Sequence, residues 1–321
     1  MKGSKLFSLE GLSRREIILV LVCCLIFLLL QGIVVGLIPA QIVMVALFLL
    51  LYFAHDYTRK MAVALLPFVA FEISYDWMRL YPNYLVNEVD TQAIYETEKQ
   101  LFGISDGAKS IIPGEFFMNH NHAVADFMAG IFYLCWVPLP IAFGLYLFIK
   151  GRRRDYLRFA LAFLFVNWVG FIGYYIHPTA PPWYVLQYGF TPDFSTPGNV
   201  AGLIRFDEMI GIPVFQSIYV NNSNIFAAVP SLHAAYMLIA TIYSVISRRS
   251  WFCTTVFAIV TVGIWWTAVY SCHHYIIDVL LGIATACIGV ALFEKLLMRW
   301  SVFSRFFNAY SRYIGENSVR G

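Results

Sequence analysis

The chain has 321 residues, of which 60% are hydrophobic, 17% aromatic and only 13% charged. Those proportions exclude an ordinary soluble globular domain. The formal net charge of +3 gives no reason to invoke a nucleic-acid partner.

A hydrocarbon core about 30 Å thick takes about 20 apolar helical residues to cross. The first apolar run, 17–54, is too long for one crossing, and its interruption at Gly36 and Pro39 predicts two short spans. Its apolar core also far exceeds the roughly 7–15 residues of a signal-peptide h-region, so no cleavable leader is expected. Further spans are predicted at 60–78, 123–149, 155–176, 230–247, 252–271 and 275–296, which makes the chain an all-α integral membrane protein of about eight transmembrane helices. Two long connections, 79–122 and 177–229, fall on one side, and their Trp, Tyr and Phe beside charged residues predict short interfacial helices. A tail follows at 297–321. The whole reads as one polytopic domain, a helix pair at 17–54 joined to a core at 60–296.

Orientation follows from basic residues. With both termini in the cytoplasm, only Arg79, Lys99, Lys109 and Arg205 of the 22 Lys and Arg fall outside. Lys2, Lys5, Arg14, Arg15, Arg59, Lys60, Lys150, Arg152, Arg153, Arg154, Arg158, Arg248, Arg249, Lys295, Arg299, Arg305, Arg312 and Arg320 fall inside, the asymmetry of the positive-inside rule. The six cysteines, Cys23, Cys24, Cys135, Cys253, Cys272 and Cys287, lie in or at the ends of spans, and neither a disulfide framework nor a zinc site is expected.

Histidines gather on the outer side: His120, His122, His177, His233, His273 and His274 lie there and only His55 inside. In VPSLHAAY, Pro230 is predicted in the first turn of a span, with Ser231 and His233 at a helix N-terminus, whose free N–H groups and positive dipole end favour phosphate. Ser231 equally suits a helix cap and His233 an interfacial ring. In SCHHYIIDVL, His274 and Asp278 stand four apart, which predicts one helical face and a carboxylate holding an imidazole in one tautomer. A buried structural pair has the same spacing, but a carboxylate within a span is costly. YYIHPTAPPWYV, with Pro178, Pro181 and Pro182, predicts a rigid ledge carrying Trp183 and Tyr184. Glu72 and Asp76, four apart within an apolar run, and Asn119, His120, Asn121, His122 and Asp126 are further polar candidates, NHNH being equally an ordinary solvated loop.

PSLHAA, HHYIIDVL and HPTAPPW, in this arrangement among spans, resemble the motifs of the type 2 phosphatidic acid phosphatase superfamily, and within it the inositol phosphorylceramide synthase branch. The resemblance covers roughly 123–296 and implies a six-helix core in which His274 is the nucleophile, Asp278 orients it, His233 protonates the departing alkoxide and Ser231 helps hold the phosphate. His177 stands where the phosphatases have the arginine of their RP motif. Gly170 stands where they have a lysine, and Thr267 and Ala268 replace their SR pair.

A phosphomonoester carries about two negative charges at neutral pH and a phosphodiester one. So few outer cations suit a diester, held by histidines, backbone N–H groups and Arg205. The expected reaction moves phosphoinositol from phosphatidylinositol to ceramide through a phosphohistidine, without metal or cofactor, with Asp76 and Glu72 contacting the head group. The expected location is a bacterial inner membrane with the site facing the periplasm, or else an endoplasmic reticulum or Golgi lumen. A lipid phosphatase with water as acceptor is the rival enzyme. A proton-coupled transporter is the rival of another class, and would spread ionisable residues over both faces.

Overall fold

The computed structural model describes residues 12–37, 39–220 and 224–315. Lys2, Lys5 and Arg320, position 38 of the first apolar run, positions 221–223 of the second loop and the last six tail positions, 316–321, lie outside them.

Helix α1 (Arg14–Val34) opens on a capping box: Ser13 Oγ accepts from Glu16 N–H at 3.2 Å, and Glu16 accepts from Ser13 N–H at 2.7 Å. Its apolar side chains face outward. Leu19, Leu25 and Ile33 are 62%, 57% and 82% exposed, while Gln31 is buried. That inversion suits a helix whose solvent is lipid. Gly36, at φ +88°, ends the run, and α2 (Pro39–Ala54) starts on a proline, whose missing N–H has no helical partner to lose there.

The third run is broken at Leu65 into α3 (Asp56–Ala64) and α4 (Leu66–Asp76), because Pro67 cannot continue the hydrogen-bond ladder. The first long loop holds α5 (Gln92–Phe102), an antiparallel hairpin of β1 (Ile104–Asp106) and β2 (Lys109–Ile111), and α6 (Pro113–Asn119). Then α7 (Ala123–Leu134) and α8 (Pro138–Ile149) meet at a bend of 42°, again at a proline. Helix α9 (Arg153–Ile176) is the spine, packed on by α4, α8 and by the later α13 (Leu232–Ile246) and α15 (Ile276–Lys295). Between α9 and α13 the second loop forms α10 (Pro182–Tyr188), α11 (Ile204–Ile210) and α12 (Val214–Tyr219). Helix α14 (Trp251–Tyr270) lies between α13 and α15 in sequence.

Among the described residues, five helical segments are long and apolar enough to cross a membrane, or six with the bent α7–α8 pair; α13 and the Gln41–Ala54 part of α2 are apolar but shorter. The chain is thus an all-α integral membrane protein, the short hairpin apart. At the end opposite the long loops, Arg158 Nε contacts both carboxylate oxygens of Glu294 at 2.8 Å, and Tyr243 OH donates to the same carboxylate, tying α9, α13 and α15 together. The expected tail is, from Ser301 to Tyr313, helix α16, which buries Phe307 and sends Tyr310 OH to Val63 O at 2.6 Å.

At the other end the two long loops interlock. Asp90 N–H donates to Pro178 O at 2.8 Å and Ala180 N–H to Asp90 O at 3.0 Å, while Asn83 Nδ2 donates to Tyr174 O at 2.8 Å and Phe226 O at 2.9 Å. The aromatic core of Phe71, Phe163, Phe171 and Tyr236 lies just below.

Candidate active site

Helix α13 begins at Leu232 with Ser231 as its cap, so Pro230 precedes the cap instead of lying in the first turn. Ser231 Oγ accepts from Ala234 N–H at 3.4 Å and the residue is fully buried. Its N–H donates to Asp278 O at 3.0 Å, joining α13 to α15. The join needs Gly282: a Cβ there would lie 2.1 Å from Ser231 O, so only glycine lets the two helices approach this closely.

Helix α15 begins at Ile276, two residues later than the HxxxD spacing suggested, so His274 lies before the helix and Asp278 on its first turn. The expected contact survives: His274 Nδ1 donates to Asp278 Oδ2 at 3.2 Å. The same oxygen accepts from Tyr275 N–H at 3.0 Å. On its other side His274 Nε2 lies 3.0 Å from His233 Nδ1. With the first bond fixing its tautomer, His274 presents the Nε2 lone pair to His233. Burial pushes the His274 imidazole down to about 4, so the ring is neutral at neutral pH. Trp136, at the α7–α8 bend, packs its ring 4.5 Å from that of His233.

The pair opens on a cavity of about 880 Å³. Its walls combine His233, His273 and His274 with apolar Phe71, Leu134, Trp136 and Tyr236, and with Glu72 and Asp76. Asp76 is the hub of a polar knot. Gln31 and Gln41 each donate to its Oδ2 at 3.4 Å, Arg79 Nε lies 3.3 Å from its Oδ1, and Trp77 Nε1 donates to Gln31 Oε1. The knot joins α1 and α2 to α4 along the cavity wall.

Three sequence-selected residues stand elsewhere. Ser231 is behind the wall, and His177, half exposed, pairs with Asp90 at 3.3 Å. Arg205 does not line the cavity: its Nε meets Asp126 Oδ1 at 2.6 Å, where Tyr270 OH also donates at 2.9 Å, so the guanidinium faces a carboxylate. NHNH is structural, His120 stacking on Phe116 at 4.3 Å and His122 capping α7. Among the described residues no His, Cys, Asp and Glu cluster has the makings of a metal site.

The lysine position of the phosphatase pattern is filled. A Cβ at Gly170 would lie 2.5 Å from Leu232 Cδ2, and Ala268 is buried, its carbonyl accepting from the N–H groups of His273 and His274 at 3.0 Å. Arg79 is the one Lys or Arg among the described cavity-lining residues.

Sequence reading missed Gln31, Gln41, Asn199 and Asn224, all on the cavity wall, and gave His273, which also lines it, no role. Gln31 and Gln41 carried a signal, polar residues within the apolar run 17–54.

The profile of the PAP2 superfamily matches residues 109–292. A phosphoinositol dihydroceramide synthase of Bacteroides thetaiotaomicron is 56% identical over 302 residues, covering 94% of this chain and 99% of that protein. The inositol phosphorylceramide synthase of Candida albicans is 29% identical over 188 residues, 55% of this chain and 38% of its own length. The catalytic subunit of that synthase in Saccharomyces cerevisiae is 29% identical over 163 residues, 46% and 39% respectively. No solved structure matches the chain significantly.

Proposed function

The chain belongs to the PAP2 superfamily, and from that premise we propose how its histidine pair works as a phosphotransferase moving phosphoinositol from phosphatidylinositol to ceramide or dihydroceramide. The observation that carries the reading is the relay Asp278–His274–His233, with contacts of 3.2 Å and 3.0 Å, on the wall of a cavity between spans.

In the first half-reaction a phosphodiester enters between the two rings. His274 Nε2 attacks phosphorus while Asp278 balances the positive charge growing on the imidazole. The bond to the diacylglycerol oxygen breaks, and that oxygen takes the proton of a cationic His233, a charge state the substrate's own anion favours. In the second, His233, now neutral, takes the proton of the ceramide primary hydroxyl. That oxygen attacks phosphorus and the His274 Nε2 bond breaks, returning both rings to their starting states. Leu232 and His233 lie at the α13 N-terminus, whose dipole favours the phosphoryl oxygens. Glu72 and Asp76, with Gln31 and Gln41, offer hydrogen-bond partners to the neutral, hydroxyl-rich head group.

In this reading the apolar helices make eight passes, two of them short, with both termini cytoplasmic and the cavity on the periplasmic side of a bacterial inner membrane. The one-sided distribution of Lys and Arg supports the orientation. The test is purified protein in detergent with phosphatidylinositol and labelled ceramide. Phosphoinositol ceramide and diacylglycerol, both lost in His274→Ala, are expected. Release of inorganic phosphate from phosphatidate, with no ceramide product, would replace the reading with a phosphatase.

A further inference from the structure

Tyr275, Ile276 and Ile277 bring three successive N–H groups to the start of α15, where the helix itself offers no acceptor. Asp278 accepts the first at 3.0 Å. The other two go to a residue of the first long loop: Glu98, on α5, accepts from Ile276 N–H through Oε1 at 2.8 Å and from Ile277 N–H through Oε2 at 3.2 Å. Glu98 is 1% exposed and is not among the residues lining the cavity. It stands behind the nucleophile's turn, out of reach of substrate.

We propose that Glu98 is a positioning residue for the His274–Asp278 pair: by holding the two amides that follow, it leaves the Asp278 carboxylate to His274 Nδ1. An uncapped helix start draws carboxylates to it. Asp278 is the other carboxylate on this turn, and if it capped Ile276 and Ile277 it would turn from His274 and free the ring to adopt the second tautomer. The inference rests on the phosphotransfer reading above.

Burial pushes the Glu98 carboxyl up to about 7; the two amide bonds pull it back and the neighbouring Asp278 raises it again. The groups around it are Asp278 and Tyr275 at the start of α15, with Tyr95, Glu96 and Lys99 on α5. From α6, Glu115 accepts from Tyr95 OH at 3.3 Å, and α10, also packed on α5, adds tyrosines and no charge. The ionised form does the positioning, so activity rises with pH through about 7. Stability runs oppositely. A raised carboxyl contributes fully below its ordinary value of 4.5, and that contribution is lost as pH rises through about 7.

The test compares wild type, Glu98→Gln and Glu98→Asp in the transfer assay across roughly pH 5 to 9, with thermal unfolding at each pH. Glu98→Gln should lower kcat on the order of tenfold with KM unchanged, flatten the acid limb and remove the pH-dependent part of the stability difference. Glu98→Asp should restore part of kcat. A Glu98→Gln profile parallel to wild type, or a loss that only tracks the folded fraction, overturns the proposal. Nitrogen-15 spectra of His274 give a substrate-free readout: one Nδ1-protonated tautomer in wild type and a mixture in Glu98→Gln, an unchanged spectrum again overturning it. Wild type that makes no phosphoinositol product sinks the functional reading alone, and the spectra still decide the role of Glu98.

Discussion

Asp278→Asn separates charge from geometry at the centre of the site. One oxygen, Oδ2, accepts from both Tyr275 N–H and His274 Nδ1, so an asparagine carbonyl in its place can keep both bonds, the tautomer and the helix cap. What vanishes is the negative charge. Attack on phosphorus makes the His274 ring cationic, and a unit charge about 4 Å from a carboxylate interacts by about 4 kcal/mol at an effective dielectric of about 20. That is about a thousandfold in rate. The expected result is therefore a kcat about 10³-fold down at nearly unchanged thermal stability, read by transfer of labelled phosphoinositol to ceramide and by unfolding in detergent. Asp278→Ala should lose stability too, because two buried N–H groups are left unpaired at about 1–3 kcal/mol each. An Asp278→Asn enzyme within tenfold of wild type would mean that no such charge develops on His274, and the phosphohistidine route would fall.

His233→Ala should cost about 10²- to 10⁴-fold with phosphatidylinositol, but much less in release of an aryl alcohol from an aryl phosphodiester, whose leaving group needs no proton; equal losses with both donors would remove His233 as the acid. Gly282→Ala drives a Cβ to within 2.1 Å of Ser231 O, so α13 and α15 must part. We expect about 1–3 kcal/mol of destabilisation and a kcat loss above tenfold as the gap between His233 and His274 widens; lower stability with full kcat would show that this spacing does not govern the chemistry. A cysteine tag in the 177–229 loop should react with an impermeant reagent from the periplasm, and labelling only from the cytoplasm would reverse the assigned side.

The relay among His233, His274 and Asp278 was legible because half of it is local: four residues of chain bring an imidazole to a carboxylate, whether or not the helix has yet begun. The cap itself was not. Periodicity places a run of apolar residues and leaves its first turn uncertain by a residue or two, which is why Pro230 and His274 moved outside their helices. Pairings over long stretches of chain were invisible. Arg205 and Asp126 are 79 residues apart, so the sequence offered a cation and an anion without saying that they meet. Glu98 sits in ETEKQ, which reads as a solvated helix face, and only tertiary structure carries it to the start of α15. The hairpin had a signal, Gly107 in the two-residue turn that follows Asp106, which the compositional reading of the loop passed over.

A preference for a diester over a monoester is the expected consequence of where the loop-end cations are spent. Arg205 meets Asp126, and Arg79 meets Asp76. Lys109 stands opposite Asp106 in the hairpin, and Lys99 lies over the Tyr95 ring at 5.9 Å. Each has a neighbour away from the His233–His274 contact. A second phosphate charge at the His233–His274 contact would find Arg79, the one cation of the described cavity wall, already set against Asp76, and an uncompensated buried charge costs several kcal/mol. At about 1.4 kcal/mol per factor of ten, even part of that cost makes a phosphomonoester a poor substrate. Restoring the phosphatase cation is blocked by packing before charge matters, because Leu232 fills the space beside Gly170. Leu232 also lies beside His233 at the start of α13 and lines the cavity, so the apolar contact that shuts out a lysine also helps shape the wall where the phosphate is proposed to sit.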